Sequence, residues 1–153
     1  MSGSASIENQ RNPENQTDPR NRLIVALDVP SAAEARVLSD ALRGICRWVK
    51  VGLELYLAAG NAVVEDLASQ GYSVFLDLKF HDIPNTVAGA VRSAAKVGAS
   101  LLTVHAAGGP AMLAAAAEAC AGSSNAPRLL AVTVLTSMDD AQLRAVGIDQ
   151  GAG

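Results

Sequence analysis

The chain has 153 residues, half of them apolar and 18% charged, with a formal net charge of −3. That is enough apolar material for one domain with a real core, and the acidic balance, with no Lys/Arg cluster, argues against a nucleic-acid-binding surface. No apolar stretch reaches the roughly 20 residues that span a bilayer, and the N-terminus lacks the apolar core of a secretory signal.

Residues 1–21 are rich in Ser, Asn, Gln and Pro and hold almost nothing apolar. They read as a disordered N-terminal tail, and the folded domain, 22–153, is expected to begin in earnest at Leu23. Leu23 to Leu27 is a continuous apolar run ending in Asp28, a pattern that suits a parallel strand buried on both faces. Ser31, with Glu34 three residues on, marks the start of a helix through a capping box. Trp48 to Gly52 is a second strand, and Leu53 to about Gln70 reads as one helix closed by Gly71. Ser73 to Lys79 is the third strand. Pro84 opens the next helix, which runs to about Val97 and is stopped by Gly98. Leu101 to His105 is the fourth strand, and Pro110 to about Ala121 is helical. Leu129 to Val134 is the fifth strand, and Asp139 to about Ala145 begins a fifth helix.

Strict alternation of strand and helix makes this an α/β chain built of βαβ units with right-handed crossovers. Polar residues fall where the strands end: Asp28, Lys50, Asp77, Lys79, His105 and Thr136. That is the carboxyl edge, where (β/α)₈ barrels and doubly wound sheets keep their sites. No Gly-x-Gly-x-x-Gly turn follows the first strand, which lowers a dinucleotide-binding reading. About five βα units are present and a closed barrel needs eight, so the chain is either a small open sheet or part of a barrel. Cys46 and Cys120 have no metal or redox spacing and read as thiols of a reducing cytoplasm.

The segment Asp77-Leu78-Lys79-Phe80-His81-Asp82-Ile83-Pro84-Asn85-Thr86 is the most informative. Strand alternation puts Asp77 and Lys79 on one face with Phe75 behind them, and Asp82 follows in the turn into the helix. A lysine between two carboxylates stays protonated and can deliver that proton to an anion forming nearby. Plainer roles stand beside this one. Asp77 and Lys79 could form a simple ion pair at a strand end, and Asp82 could be the N-cap of the helix that Pro84 opens. Lys50 could be a solvated strand-end lysine, Asp28 a turn cap, Thr136 a turn residue, and His81 and His105 structural groups at the sheet edge. Gly108-Gly109 fits a tight strand-to-helix turn better than a phosphate cradle.

This segment resembles the signature of the bacterial orotidine 5′-phosphate decarboxylases. The surroundings agree. Leu23-Ile24-Val25-Ala26-Leu27-Asp28 is similar to that family's first strand, Val49-Lys50-Val51-Gly52 to its second, Val104-His105-Ala106-Ala107-Gly108-Gly109 to its fourth, and Val132-Thr133-Val134-Leu135-Thr136-Ser137 to its fifth. The resemblance runs from Leu23 to Gly147. It implies a (β/α)₈ TIM barrel, incomplete here and truncated at the C-terminus. It also implies conversion of orotidine 5′-phosphate to UMP in de novo pyrimidine biosynthesis, in the cytoplasm, with no cofactor and no metal. Lys79 would be the proton donor to C6 of the pyrimidine, Asp77 would lie against the departing carboxylate, and Lys50 would hydrogen-bond the ribose within a charged array with Asp77, Lys79 and Asp82. Asp28 would contact the ribose and pyrimidine side, Thr86 the phosphate end, and Thr136 the pyrimidine edge. Asp82 and Ile83 would reach into the site of a second subunit, making a homodimer with shared sites and no nucleic-acid or membrane partner.

The family's later strands supply a loop over the substrate and the glycine and arginine that grip its phosphate, so this chain alone is expected to be inactive or nearly so. Metal-dependent sugar-phosphate decarboxylases and synthases of the same scaffold share Asp-x-Lys-x-x-Asp, but they carry an acidic residue at the place of Lys50 and lack the Ile-Pro-Asn-Thr extension. A Schiff-base aldolase would want its lysine in an apolar pocket, unlike Lys79. A non-catalytic fragment is the third alternative.

Overall fold

Val49, Val51, Val74, Leu76, Leu102 and Val104 are each no more than 1% exposed, and they alternate with residues of a different kind. Lys50, Phe75, Asp77, Leu101, Thr103 and His105 occupy the other face of the same strands. This period of two puts one face of the sheet under helices and leaves the other to carry chemistry. The computed structural model describes residues 18–122 and 125–149.

Five parallel strands form the sheet in the order β1 (Ile24–Ala26), β2 (Trp48–Gly52), β3 (Ser73–Phe80), β4 (Ala99–His105) and β5 (Arg128–Val132). Each pairs with the next in sequence, with no reversal of order. A doubly wound sheet needs a switch point where the order reverses, whereas a βα barrel adds every strand on the same side. The chain is thus an α/β arc of five barrel strands and not a small doubly wound sheet. At the amino ends of the strands, the Arg128 guanidinium on β5 lies over the Trp48 ring on β2, 5.5 Å from its centroid. Three strand intervals separate these strands, about 14 Å in a flat sheet, a span that a curled sheet shortens.

The helices are α1 (Ala32–Leu42), α2 (Leu53–Ala59), α3 (Asn61–Ser69), α4 (Pro84–Lys96), α5 (Gly109–Ala121) and α6 (Asp140–Ala145). In α4, Val87, Val91, Ala94 and Ala95 are buried, a spacing of three and four that gives one apolar stripe. Met112, Ala116 and Ala119 do the same in α5, which packs on α4. Small alanines on both helices allow that close approach.

The expected elements are present, but β1 is not buried on both faces (Ile24 is 44% exposed) and β5 runs from Arg128 to Val132, short of Val134; four further differences stand out. Residues 1–17 of the expected tail lie outside the described residues, but Pro19–Asn21 form a 3-10 turn capped by Asp18, tied to the start of β2 by an Arg47 N–H bond to the Arg20 carbonyl (3.0 Å). Ordered chain therefore precedes Leu23. The helix expected from Leu53 to Gln70 is two helices, broken at Gly60, whose φ of +65° with ψ of −155° only glycine adopts readily. Ser31 caps α1 through the Glu34 N–H, as the pattern predicts, but the Glu34 carboxylate accepts from the Ser31 hydroxyl (3.0 Å). The fourth difference lies in β3 and shapes the site.

Candidate active site

β3 is not a regular strand. Leu76 pairs with Leu102 and Phe80 with Val104, so four steps along β3 match two along β4. The surplus is a bulge, and Lys79 sits in it with φ +52°, the one non-glycine residue of positive φ among those described. A left-handed backbone costs a residue with a Cβ roughly 1–2 kcal/mol. Such strain persists where surrounding contacts over-determine it. The expectation that simple alternation aligns Asp77 with Lys79 is corrected on this point: the pair does meet, at 2.9 Å from Lys79 Nζ to Asp77 Oδ1, but through the bulge.

Around Asp77 the charges alternate. Lys50 Nζ lies 2.8 Å from Asp28 Oδ1 and 4.0 Å from Asp77 Oδ2. The sequence Asp28–Lys50–Asp77–Lys79 thus runs along the carboxyl ends of β1, β2 and β3 as two carboxylates and two ammonium groups. The Asp77 side chain is 15% exposed and that of Asp28 65%. Water screens the outer pair, and exposed pairs of this kind contribute about 0–1 kcal/mol. The inner pair is the more sheltered and the better placed to act on a bound molecule.

Two residues at this site escaped the sequence reading. Thr103, on β4 and 1% exposed, donates its hydroxyl to Asp77 Oδ1 (3.0 Å) and accepts the Lys79 backbone N–H (2.9 Å). Gly52 ends β2 beneath the array, and a Cβ there would stand 3.1 Å from Lys50 Nζ and 3.5 Å from Asp28 Oδ1. A threonine inside an apolar strand and a glycine before a helix look ordinary, and only the register of β2, β3 and β4 brings them under the charges.

The other expected site residues stand apart. Asp82 is exposed, and its carboxylate accepts the N–H of the next residue, Ile83 (2.6 Å). It is not the cap of α4, because Ile83 occupies the N-cap and gives no side-chain bond. Lys79 is accordingly paired with Asp77 and not held between Asp77 and Asp82. Ile83 is 67% exposed, and Thr86 and Thr136 are exposed as well. No hydrogen bond or ion pair among the described residues joins these four to the array. The His81 and His105 rings pack obliquely on one another, centroids 5.3 Å apart. Among the described residues there is no cluster of three or more His, Cys, Asp or Glu placed to hold a metal ion, and no helix long and apolar enough to cross a membrane.

Residues 21–152 match the family model "Orotidine 5′-phosphate decarboxylase / HUMPS family". The chain belongs to that family. It is 56% identical over 128 residues to the orotidine 5′-phosphate decarboxylase of Alkalilimnicola ehrlichii, an alignment covering 84% of this chain and 54% of that enzyme. The chain thus spans about half the length of the curated relatives it matches. Among solved structures, an uncharacterized conserved protein from Geobacillus kaustophilus superposes with a TM-score of 0.78 at 47% identity, covering 84% of this chain and 62% of that one. The orotidine 5′-phosphate decarboxylase of Lactobacillus acidophilus gives 0.71 at 41% identity, covering 84% and 60%. Membership of this family accounts for the architecture: a partial (β/α)₈ barrel bearing its charged array at the carboxyl edge.

Proposed function

We propose that this chain carries the pyrimidine-handling part of a cofactor-free site that decarboxylates orotidine 5′-phosphate to UMP and CO₂. The observation that carries the reading is the alternating array Asp28–Lys50–Asp77–Lys79 at the strand ends. In the reaction the bond from C6 to the carboxylate breaks, CO₂ leaves, and the electron pair stays on C6. The Lys79 ammonium, held by Asp77, stands as a fixed cation where that charge develops. It then gives one proton to C6, and solvent restores it. Asp77 lies against the departing carboxylate, and Lys50, steered by Asp28, hydrogen-bonds the ribose.

Asp82 and Ile83 act in the site of a second subunit in this reading. Their exposure on the loop before α4, away from the array of their own chain, is what such a role requires. Thr86 serves the phosphate end and Thr136 the pyrimidine edge. The family's other branch, the metal-assisted sugar-phosphate chemistry, is disfavoured by Lys50: its ammonium stands between two carboxylates that could otherwise share a divalent cation. The work belongs to nucleotide synthesis in the cytoplasm.

The test joins residues 1–149 of this chain to the matching remainder of the Alkalilimnicola enzyme's barrel and assays CO₂ release from carboxyl-labelled orotidine 5′-phosphate in chelator. The chimera is expected to turn over and Lys79→Ala to abolish turnover, while the 153-residue chain alone gives little or none. A folded chimera without activity, or one indifferent to Lys79→Ala, would refute the reading.

A further inference from the structure

We propose that Thr103 is the positioning residue of this site: one hydroxyl fixes the carboxylate of Asp77 and the backbone of Lys79 together. A threonine hydroxyl has one proton to give and lone pairs to accept. The Asp77 carboxylate, being the partner of the Lys79 ammonium, only accepts, so the hydroxyl proton points to Asp77 Oδ1 at 3.0 Å. The lone pairs are left facing the Lys79 N–H at 2.9 Å.

The need for that acceptor follows from the bulge. In a regular parallel ladder the N–H of a β3 residue would find a carbonyl of β2 or β4. Where four steps along β3 match two along β4, the ladder is interrupted, and the Lys79 amide takes a side-chain oxygen instead. Thr103 is 1% exposed, so water has no ready access to replace it. The same atom therefore satisfies the amide of the left-handed residue and pins the carboxylate that holds that residue's ammonium. Asp77 Oδ1 receives both the Thr103 hydroxyl and Lys79 Nζ, which closes a ring of three bonds through Asp77, Lys79 and Thr103. A threonine that only filled the core would need one partner, from anywhere; this one touches the two groups on which the site depends.

The consequence for catalysis rests on the decarboxylase reading, but the geometric claim does not, and the two are read separately. On the 153-residue chain, backbone NMR reports the Lys79 amide without substrate. Thr103→Val, nearly isosteric, is expected to lower hydrogen-exchange protection at Lys79 by about fivefold or more, with Val74 and Leu76 unchanged, and Thr103→Ser to restore it. In the unsubstituted chain the Lys79 amide should show the small temperature coefficient of a bonded N–H, a readout that does not depend on how the valine variant folds. In the active chimera, Thr103→Val should lower kcat about tenfold or more with little change in KM, and serine should recover most of it. The proposal is overturned by a Lys79 amide that behaves as solvated in the unsubstituted chain, or by valine leaving its protection untouched. Protection lost evenly along β3, or an unchanged kcat in an active chimera, overturns it too. An inactive chimera with the expected amide behaviour counts against the decarboxylase reading alone.

Discussion

Lys79 Nζ lies 2.9 Å from Asp77 Oδ1, and the backbone reaches that contact through a left-handed residue, φ +52°. The two facts oppose each other in stability. The ion pair is favourable, and the dihedral is unfavourable for any residue with a Cβ.

That opposition predicts an inverted substitution order. In an ordinary strand, alanine is worth roughly 0.5–1 kcal/mol more than glycine. At Lys79 both substitutions remove the ammonium, but glycine also relieves the backbone. Lys79→Gly should therefore melt higher than Lys79→Ala, by about 1 kcal/mol in thermal or urea unfolding. Alanine equal to or above glycine would show that the bulge carries no strain.

Gly52 provides the second prediction. Its φ is −91°, so alanine is unstrained there, and the atom its Cβ would crowd is the mobile end of Lys50, at 3.1 Å. Gly52→Ala should leave the unfolding midpoint nearly unchanged and push the Lys50 ammonium off Asp28. In the chimera, kcat/KM for orotidine 5′-phosphate should fall about tenfold or more, the scale expected when a positioned group moves by a fraction of an ångström. A full rate with a normal melting curve would mean that Lys50 is not held where the substrate needs it.

The order of strands and helices was legible because each strand is a short, mostly apolar segment, and because Gly71, Gly98 and Pro84 punctuate the chain between them. The charged array was legible for a related reason: Asp28, Lys50, Asp77 and Lys79 are out of place at the ends of such runs. What stayed hidden depends on register. Nothing local to β3 announces the bulge, since the extra residues are counted only against β4, and so Thr103 looked like one more strand residue. The break at Gly60 was hidden because an isolated glycine is tolerated in many helices, and nothing beside it in the sequence announces its φ of +65°. Asp82 was open to reading as a helix cap only while the exact start of α4 was unfixed; with Pro84 as the first helical residue, the residue before it, Ile83, is the N-cap.

Trp48 is the only tryptophan of the chain, so its fluorescence reports one place. The ring is 8% exposed and lies under the Arg128 guanidinium. A cation over an indole face is worth about 0.5–1 kcal/mol at an accessible site, and the arginine stem shields the ring as well. Arg128→Ala should shift the emission to longer wavelength and raise acrylamide quenching, whereas Arg128→Lys should do so less. An unchanged spectrum would mean that β5 does not curl towards β2 in solution.

Acid should loosen the amino end. Asp18 accepts the Arg20 side chain at 2.6 Å and the Arg20 N–H at 3.0 Å, and these bonds, the side chain's first, lower its pKa from 3.8 to about 2. The folded value lies below the unfolded one, so the bond's stabilisation is present in full above pH 3.8 and is lost as the pH falls through about 2. The Asp18 side chain is 18% exposed and its Arg20 partner 54%, and solvent screening keeps the effect on global stability small. The effect belongs to the Pro19–Asn21 turn, whose Arg20 carbonyl holds the Arg47 amide. Carboxyl-carbon NMR should place the Asp18 midpoint near 2, and Arg20→Met should return it towards 3.8. Between those pH values the Arg47 amide should lose exchange protection before the amides of Val49 and Val51 in the centre of β2. An Asp18 midpoint at the ordinary value in the unsubstituted chain would mean that this turn is not closed in solution, and that the fold begins at Leu23 after all.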